Sequence, residues 1–530
     1  MSQGRTSSRY ITTPIYYVND RPHIGHAYTT IICDVWARFM RFAGHDVFFL
    51  TGTDEHGQKV EKSAAARGIS PQALADENAA EFRRVMQMFG TSNDDFIRTT
   101  EPRHERQVQE MMRRLRARDA IYLGEFEGWY DEGQEEYVTD SKAKDQEYKS
   151  AISGKPLVRM REQNYYFRLS AFQDRLERMF AEHPDFVRPE ARRNEVISRV
   201  REGLQDVPVS RTNFTWGVPM PDDPRHVIYV WIDALMNYVT ALGLMDETGQ
   251  AIRKRGKYWP ADFHVIGKEI LWFHAVIWPA MLMALDLPAP KCVYAHSFWI
   301  SEGQKMSKSL GNFIDLPAIQ GYLDTYRLDA WRYYMTTQGP LGAQDADFSA
   351  AHFHEIYHAH LCNTVGNCAS RVTAMLERYF DGIVPSPGTR ASRPGDFDWG
   401  SFCATQVEQT VRAMDRLDLA HAIESALAMV RKVDLYINET QPFKMKDESQ
   451  RADQGAILYQ CAEAIRIASL LLWCVMPQTM QDLWAALGQA IDPAQGRLCE
   501  LSGWGGLQPG TKVHKVALFP RIEKREGGRA

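Results

Sequence analysis

Two short motifs carry side chains that could bind a triphosphate. His23-Ile24-Gly25-His26 follows an apolar, β-branched run and leads into a helical pattern. Imidazoles at a helix start can donate to phosphate oxygens, and Gly25 lets a flat base approach the backbone. Lys305 and Lys308 stand in Lys305-Met306-Ser307-Lys308-Ser309, where two ammonium groups could compensate charge as pyrophosphate leaves. Taken singly, each motif is as consistent with capping or surface histidines and a solvated basic loop.

A third cluster of side chains predicts an apolar pocket. Its members repeat at helical spacing in two segments and are Trp231, Ala234, Leu235, Tyr238, Ile270 and His274. Aromatic stripes at this spacing are more often plain core. Their nearness in sequence to predicted strand ends favours a pocket, and such a pocket suits a flexible, polarizable thioether.

The elements that must position these residues alternate as strand, turn and helix. Strand-like runs at 9–18 and 46–51 each precede a turn and a helical pattern, and strand-like sequence returns at 226–231, 264–267 and 291–300. This alternation predicts a parallel α/β sheet of the Rossmann-like type, with the site at the carboxyl ends of its strands. His23, His26 and Asp54 fit that placement. Between residues 119 and 211 the sequence instead predicts short strands and a charged segment, followed by helical stretches. This segment is interpreted as an insertion that splits the α/β domain.

Beyond residue 350 the sequence is helical. Apolar residues recur at three- and four-residue spacing over 351–380, 401–437 and 454–474, which predicts a helix bundle, and 513–522 is predicted to close the fold as a strand. The longest apolar run, residues 465–476, is shorter than the roughly 18 residues that a membrane span needs. No signal-peptide core is present, so a cytoplasmic protein with no membrane partner is expected, although Arg5 and Arg9 among serines leave a short mitochondrial targeting segment open.

Composition limits the partners and metals. The net charge of −5 gives no general attraction for nucleic acid, so such a partner would need local basic patches. The arginine-rich runs 98–118 and 188–201 could track phosphates, and a solvated face is at least as consistent with each. No two of the 8 cysteines are spaced Cys-x-x-Cys. This pattern predicts reduced core thiols and neither a disulfide framework nor a zinc knuckle.

The two signature motifs, in this order and after strand-like runs, resemble those of class I aminoacyl-tRNA synthetases. Four further segments resemble the methionyl-tRNA synthetase family, and the resemblance runs over nearly the whole chain. They are Pro14-Ile15-Tyr16-Tyr17-Val18-Asn19, Gly52-Thr53-Asp54-Glu55-His56-Gly57, Val230-Trp231-Ile232-Asp233-Ala234 and Ile266-Gly267-Lys268.

The resemblance implies methionine–tRNA ligase activity, in which L-methionine and ATP give methionyl-adenylate and pyrophosphate, and the methionyl group then passes to tRNA(Met), including the initiator. It implies that the catalytic residues are His23, His26, Lys305 and Lys308. It implies a methionine site formed by Ile15, Tyr17, Asp54, Trp231, Ala234, Leu235, Tyr238, Ile270 and His274, with Asp54 on the ammonium group. It implies an ATP site formed by His23, Gly25, His26, Gly267, Glu269, Lys305, Met306, Ser307, Lys308 and Ser309. Mg²⁺ is expected with the triphosphate.

The resemblance extends to tRNA recognition and to domain boundaries. Asn367, Arg371 and Phe443 would read the CAU anticodon, with Phe443 where relatives often carry Trp, while the acceptor end enters the catalytic site. The predicted domains are residues 1–118 and 212–293, the two catalytic halves; 119–211, the connective insertion; 294–350, the signature-loop region; 351–523, the helical anticodon-binding domain; and 524–530, a disordered tail.

Two further departures from the family carry expectations. Asp131 and Gln134 stand where many members have a zinc-binding cysteine pair, so a knuckle-shaped insertion without metal is predicted. A C-terminal β-barrel that dimerises some members has no counterpart in the sequence, and a monomer is expected.

Other functions fit the sequence less well. Leucyl, isoleucyl and valyl enzymes need an editing domain larger than the insertion, and cysteinyl enzymes use a zinc site. Small nucleotidylyltransferases share His-x-Gly-His but lack a long helical domain. A tRNA-binding protein without catalysis would require that the site had decayed, which the intact motifs disfavour.

Overall fold

The computed structural model describes residues 7–18, 22–131, 136–138, 140–151, 153–246, 254–301, 303–306, 312–387 and 397–523. Its first part alternates strands and helices, as the sequence predicts. The elements are β1 (Ser8–Thr12), β2 (Tyr16–Tyr17), α1 (Ile24–Phe42), β3 (Asp46–Asp54), α2 (Gln58–Arg67), α3 (Pro71–Met88), β4 (Asp95–Arg98) and α4 (Pro102–Ala117).

The middle of the chain is richer in short strands. Its elements are β5 (Ile121–Asp131), β6 (Glu136–Val138), α5 (Asp140–Asp145), β7 (Val158–Phe167), α6 (Gln173–Glu182), β8 (Val187–Arg188), α7 (Glu190–Arg201), β9 (Val207–Pro208), β10 (Ser210–Arg211), β11 (Pro219–Met220), β12 (Asp223–Ile228), α8 (Val230–Leu235), α9 (Asn237–Thr240), β13 (Phe263–Gly267), α10 (Trp278–Ala284), β14 (Val293–His296), β15 (Trp299–Ser301), β16 (Gln304–Lys305), α11 (Leu316–Gln338) and β17 (Ala346–Phe348).

A seven-stranded parallel sheet organises this region and confirms the predicted fold class. Its order is β2-β3-β1-β13-β14-β8, and β4 also pairs with β3. Tyr10, Ile11, Phe49 and Leu50 of the central strands are fully buried, as both faces of a parallel sheet require. The edge strand β8 comes from within residues 119–211, so part of that range packs against the main sheet. The other part forms a four-stranded antiparallel sheet of β6, β5, β7 and β9.

The predicted lengths of two strands were wrong. The run 226–231 leaves the β conformation after Ile228, and its strand β12 belongs to a small antiparallel sheet with β10 and β11. Val230 to Leu235 form a helix, because a short apolar run does not distinguish a buried helix from a strand. The run 291–300 divides into β14 and β15, which lie in different sheets. Between them, the backbone N–H groups of Ser297 and Phe298 donate to Pro340 O (2.9 Å) and Asp345 Oδ1 (2.8 Å).

The rest of the described chain is a helical bundle, as predicted. Its helices are α12 (Ala350–Ile356), α13 (Asn367–Phe380), α14 (Trp399–Asp415), α15 (Leu419–Thr440), α16 (Arg451–Leu472), α17 (Pro477–Ala486) and α18 (Leu498–Leu501). The segment 401–437 is two helices, since the chain reverses at the buried Leu417, whose φ is 56°. The stretch Glu448–Leu472 is long and apolar enough to cross a membrane, but 94% of its most apolar window is buried in the bundle.

The closing strand predicted at 513–522 is absent from the structure. This segment runs along the bundle, and its backbone groups bond to helix side chains and to the backbone carbonyls of Gly382 and Ala486 instead of to a second strand. The hydroxyl of Tyr357 donates to Pro520 O at 2.8 Å, a ring nitrogen of His358 donates to Ile522 O at 2.9 Å, and the N–H of Val516 donates to Thr373. The predicted tail at 524–530 lies outside the described residues.

A buried ion pair joins the bundle to the sheet. Arg332 on α11 lies 2.7 Å from Asp34 on α1, and both side chains are almost fully buried. The same guanidinium donates to the carbonyls of Cys474 and Val475 at the end of α16. The helix that begins at the histidine motif is therefore fixed to the bundle core through one side chain.

Candidate active site

A cavity of about 400 Å³ lies at the carboxyl ends of the main-sheet strands. All nine residues of the predicted methionine site line it, as do five residues of the predicted ATP site. The methionine-site residues are Ile15, Tyr17, Asp54, Trp231, Ala234, Leu235, Tyr238, Ile270 and His274, and the ATP-site residues are His23, Gly25, His26, Gly267 and Glu269. The structure thus brings into one cavity residues that are up to 259 positions apart, from Ile15 to His274.

The two histidines of the first motif cap helix α1. Nδ1 of His23 accepts the N–H of Gly25 at 3.1 Å, and Nδ1 of His26 accepts the N–H of His23 at 3.2 Å. With Nδ1 acting as an acceptor, a neutral ring carries its proton on Nε2. Burial and the nearby His23 charge hold the pKa of His26 well below its ordinary value, so this ring is a neutral Nε2–H donor.

Gly25 is needed for this cap. A Cβ at position 25 would lie 3.0 Å from Cε1 and 3.2 Å from Nδ1 of His23. Gly25 was predicted to allow base approach, and the structure adds that a side chain here would press on the capping imidazole.

Asp54 ends strand β3 and is followed by two residues that are held by opposite charges. The buried carboxylate of Glu55 accepts two hydrogen bonds from Arg98, at 2.7 and 2.9 Å. His56 donates from Nδ1 to Asp233 at 2.7 Å. Because both following residues are fixed, the strand end that presents Asp54 to the cavity has little freedom to move.

Asp233 connects this strand end to the pocket helix α8. Its second oxygen accepts from Nε2 of His104 at 2.9 Å, and the whole carboxylate is buried. Burial alone would raise its pKa, but the charges and hydrogen bonds of His56 and His104 outweigh burial and lower the pKa of Asp233 to about 2. Burial lowers the pKa of His56, and the Asp233 charge more than reverses this, so the net shift of the His56 pKa is upward. The neighbouring carboxylate Glu105 is 3.9 Å from His56.

The far wall of the cavity is aromatic. The rings of Trp231 and Phe273 stack with centroids 4.5 Å apart, and the ring of Tyr238 stacks on His264 at 4.0 Å. His274 lies in a π-helical turn, Phe273–Ile277, and bonds to Tyr238. This wall offers mostly apolar surface with a few fixed polar atoms, as ligand pockets generally do.

Several cavity residues were not predicted from the sequence. Thr29, Lys59 and His296 also line the cavity. Nε2 of His296 lies 2.8 Å from the Thr29 hydroxyl, and burial lowers the pKa of His296 to about 4. The strand-end rule could have found His296, since it is the last residue of β14, and helical spacing could have found Thr29, which is three residues after His26.

Backbone contacts hold the chain before and after the signature loop, and those after it reach the histidine motif. Lys305 pairs through its backbone with Ile300, and Asp315 bridges to His23 while the N–H of Ile24 donates to Ile314 O at 3.2 Å. Met306 is partly buried against the core. The Lys305 side chain and residues Ser307, Lys308 and Ser309 lie outside what the structure describes, so their predicted roles stay predictions.

The predicted anticodon residues lie in the bundle. Asn367 begins α13 and is exposed, and Arg371 one turn later donates to Asp434 Oδ1 (2.8 Å) and Asn438 Oδ1 (3.0 Å) of α15. Phe443 follows α15 and is 40% exposed. The Tyr379 hydroxyl of α13 lies 3.5 Å from the Phe443 carbonyl.

The insertion was predicted to hold no zinc. Within the described ranges, no three or more His, Cys, Asp or Glu side chains are placed to hold a metal ion. Asp131 is buried at the end of β5, and Gln134 lies outside those ranges. The metal-free insertion therefore stays a prediction.

Comparison with known proteins gives consistent matches. The family model of class I tRNA synthetases (M) matches residues 9–146 and 144–373. The methionine–tRNA ligase of Halalkalibacterium halodurans is 44% identical over 530 residues, which cover 98% of this chain and 79% of the relative. The ligase of Thermotoga maritima is 42% identical over 98% of this chain and 81% of its own length. The structure of Mycobacterium tuberculosis methionyl-tRNA synthetase in complex with methionyl-adenylate superposes with a TM-score of 0.88 at 38% identity, covering 97% of this chain and 100% of the other.

Proposed function

Because the chain belongs to the methionine–tRNA ligases of the class I aminoacyl-tRNA synthetases, we propose that its cavity binds L-methionine and ATP and forms methionyl-adenylate there. The methionyl group then passes to a terminal ribose hydroxyl of tRNA(Met), including the initiator. The observation that carries this proposal is that one cavity joins an aromatic, apolar subsite to the capped histidines of α1. The mycobacterial relative, whose fold this chain shares, was solved with methionyl-adenylate.

Adenylate formation requires a carboxylate oxygen to attack the α-phosphorus while pyrophosphate departs. In this cavity Asp54 would hold the methionine ammonium group and the aromatic wall would hold the thioether chain. Positioning and charge stabilisation supply most of the rate acceleration in such a transfer. No covalent enzyme intermediate is needed.

ATP would bind beside the start of α1. His23 and His26 contribute Nε2–H donors to phosphate oxygens, and their capping bonds fix those protons. Gly25, Gly267 and Glu269 line the same end of the cavity, and residues 305–309 would close over the triphosphate. Mg²⁺ would accompany the triphosphate as part of the nucleotide substrate.

The anticodon would be read at the exposed end of the bundle. Asp434 and Asn438 hold the Arg371 guanidinium in place, and Asn367 lies one turn away on α13. Phe443 offers an exposed ring on which an unstacked base of CAU could stack. We further propose a cytoplasmic monomer without structural zinc, divided at the domain boundaries given above.

Methionine-dependent ATP–pyrophosphate exchange tests the activation step, with the other amino acids as controls. Exchange with methionine alone, reduced by at least about 100-fold in Lys305→Ala, is the expected result. Exchange with another amino acid would overturn the pocket assignment, and no exchange with any would overturn the enzyme.

Aminoacylation of tRNA(Met) tests the anticodon assignment separately. Arg371→Ala should lower kcat/KM for tRNA by at least about tenfold and leave exchange unchanged. Arg378→Ala, on the same helix but outside the proposed reader, is the matched control. Equal effects of the two variants would place the reader elsewhere.

A further inference from the structure

The described lining of the cavity carries more carboxylates than lysine or arginine side chains. Its described lining includes two carboxylates, Asp54 and Glu269, and a single lysine or arginine, Lys59. Burial lowers the pKa of His26, His274 and His296, so these three rings are neutral at pH 7. An amino acid brings a carboxylate of its own into this space, and like charges there are unfavourable unless a cation lies close by.

Lys59 and Asp54 both line the cavity and are five residues apart in the chain. It is the second residue of α2, which begins directly after Gly57. A Cβ on Gly57 would lie 3.2 Å from the Tyr17 hydroxyl and 3.4 Å from Val230, and both of these residues line the cavity. Tyr17 is in turn the β-sheet partner of Asp54.

The local backbone reinforces the positive charge of Lys59. The first N–H groups of a helix carry partial positive charge, and Lys59 lies within the first turn of α2. The ammonium group of Lys59 and the carboxylate of Asp54 therefore offer opposite charges from neighbouring elements. The two charged groups of an amino acid are likewise opposite and lie two bonds apart.

We propose that Lys59 binds the carboxylate of methionine while Asp54 binds its ammonium group, so that the pair recognises the zwitterion. This assignment rests on the proposed function and deepens it. During activation one carboxylate oxygen forms the new bond to the α-phosphorus, the α–β bridging bond breaks, and its electron pair leaves with pyrophosphate. Lys59 stays beside the other carboxyl oxygen throughout.

Loss of Lys59 should affect the binding of methionine more than the chemical step. The carboxylate loses its negative charge as it becomes an acyl phosphate, so Lys59 interacts most strongly with free methionine. Its loss should therefore raise KM for methionine more than it lowers kcat.

Binding of two ligands separates this role from a merely structural one. L-Methioninol keeps the side chain and ammonium group of methionine but has no carboxylate. Lys59→Met should bind methionine about tenfold more weakly and methioninol within about twofold of wild type, by calorimetric titration. Lys59→Arg should restore most of the methionine affinity.

The same helix provides the control. Lys62→Met removes a charge one turn further along, where the side chain does not line the cavity, and should change neither affinity. If Lys59→Met weakens both ligands equally, or leaves methionine binding intact, Lys59 does not bind the carboxylate. If the wild-type protein binds neither ligand, the proposed function itself is wrong, and the assignment of Lys59 fails with it.

Discussion

The hydroxyl of Tyr238 donates a 2.8 Å hydrogen bond to Nε2 of His274. The other ring nitrogen, Nδ1, lies 3.0 Å from the carbonyl of Ile270 and must donate to it, since a carbonyl only accepts. When the ring is neutral, its tautomer is therefore fixed, with the proton on Nδ1. Burial lowers its pKa to about 4, against an ordinary value of 6.5. One wall of the cavity thus depends on an uncharged histidine.

The low pKa of His274 predicts that the folded protein loses stability in acid. The unfolded chain binds a proton at residue 274 more readily than the folded chain does. The contribution of His274 to the free energy of unfolding is therefore fully present above pH 6.5 and is lost as the pH falls toward 4. Between pH 7 and pH 5 the loss should be about 2 kcal/mol in the free energy of unfolding. Urea titrations of wild type and His274→Gln check this: the variant should lose about 2 kcal/mol less over that interval. Equal losses in both proteins would contradict the assigned pKa.

A second prediction concerns the buried carboxylate of Asp233. Asp233→Asn leaves His56 and His104 without their shared anion, and removing one partner of a buried pair costs about 3 kcal/mol or more. KM for methionine should also rise, because Asp233 joins Asp54's strand to α8. Thermal unfolding and exchange kinetics measure the two effects. The control is Asp223→Asn, whose carboxylate pairs with the exposed Arg225, and a similar loss there would argue against a special role for Asp233.

Gly25 gives a third prediction, on activity. Gly25→Ala would bring a Cβ to 3.0 Å from the His23 ring, which must then shift by a few tenths of an ångström from its capping position. Exchange activity should fall by at least about tenfold, because the Nε2–H donors lose their orientation. Gly321→Ala is the control, since a Cβ there meets nothing within 4 Å and residue 321 lies inside a helix. An active Gly25→Ala enzyme would show that the cap does not orient the histidines.

The main sheet and the cavity were predictable because they depend on local patterns. Strand–turn–helix alternation places His23, Asp54 and Gly267 at the same edge of a parallel sheet, and the structure brings them into one cavity. The errors lie where distant groups decide the structure. One strand was predicted to continue through residue 300, but the N–H of Phe298 bonds to the Asp345 side chain instead of to a neighbouring strand. No local sequence pattern indicates that partner. Lys59 was overlooked because, in sequence, it is one of several charges on an amphipathic helix.

A fourth prediction concerns the loop after α18. The buried Glu463 accepts two hydrogen bonds from Arg466, each 2.7 Å, and also holds the N–H of Gly506 at 2.8 Å. A Cβ on Gly506 would lie 2.5 Å from Arg466 Nη2, and this guanidinium is fixed by Glu463. Gly506→Ala should lower the free energy of unfolding by about 2 kcal/mol. Gly503→Ala, where a Cβ meets nothing within 4 Å, should be close to neutral, and equal stabilities of the two variants would refute the argument.

Arg327 interrupts helix α11 with φ 67° and ψ 161°, a backbone conformation that essentially only glycine adopts without strain. Its side chain is exposed, so little packing is lost on truncation. Arg327→Gly should therefore raise the free energy of unfolding by about 1 kcal/mol, opposite to the usual effect of glycine in a helix. Arg178→Gly is the matched control, because Arg178 is exposed inside the regular helix α6, and that variant should lose about 1 kcal/mol. Calorimetric melting of the two variants gives the signs directly. A loss of stability in both would mean that the Arg327 side chain contributes more than its backbone strain costs.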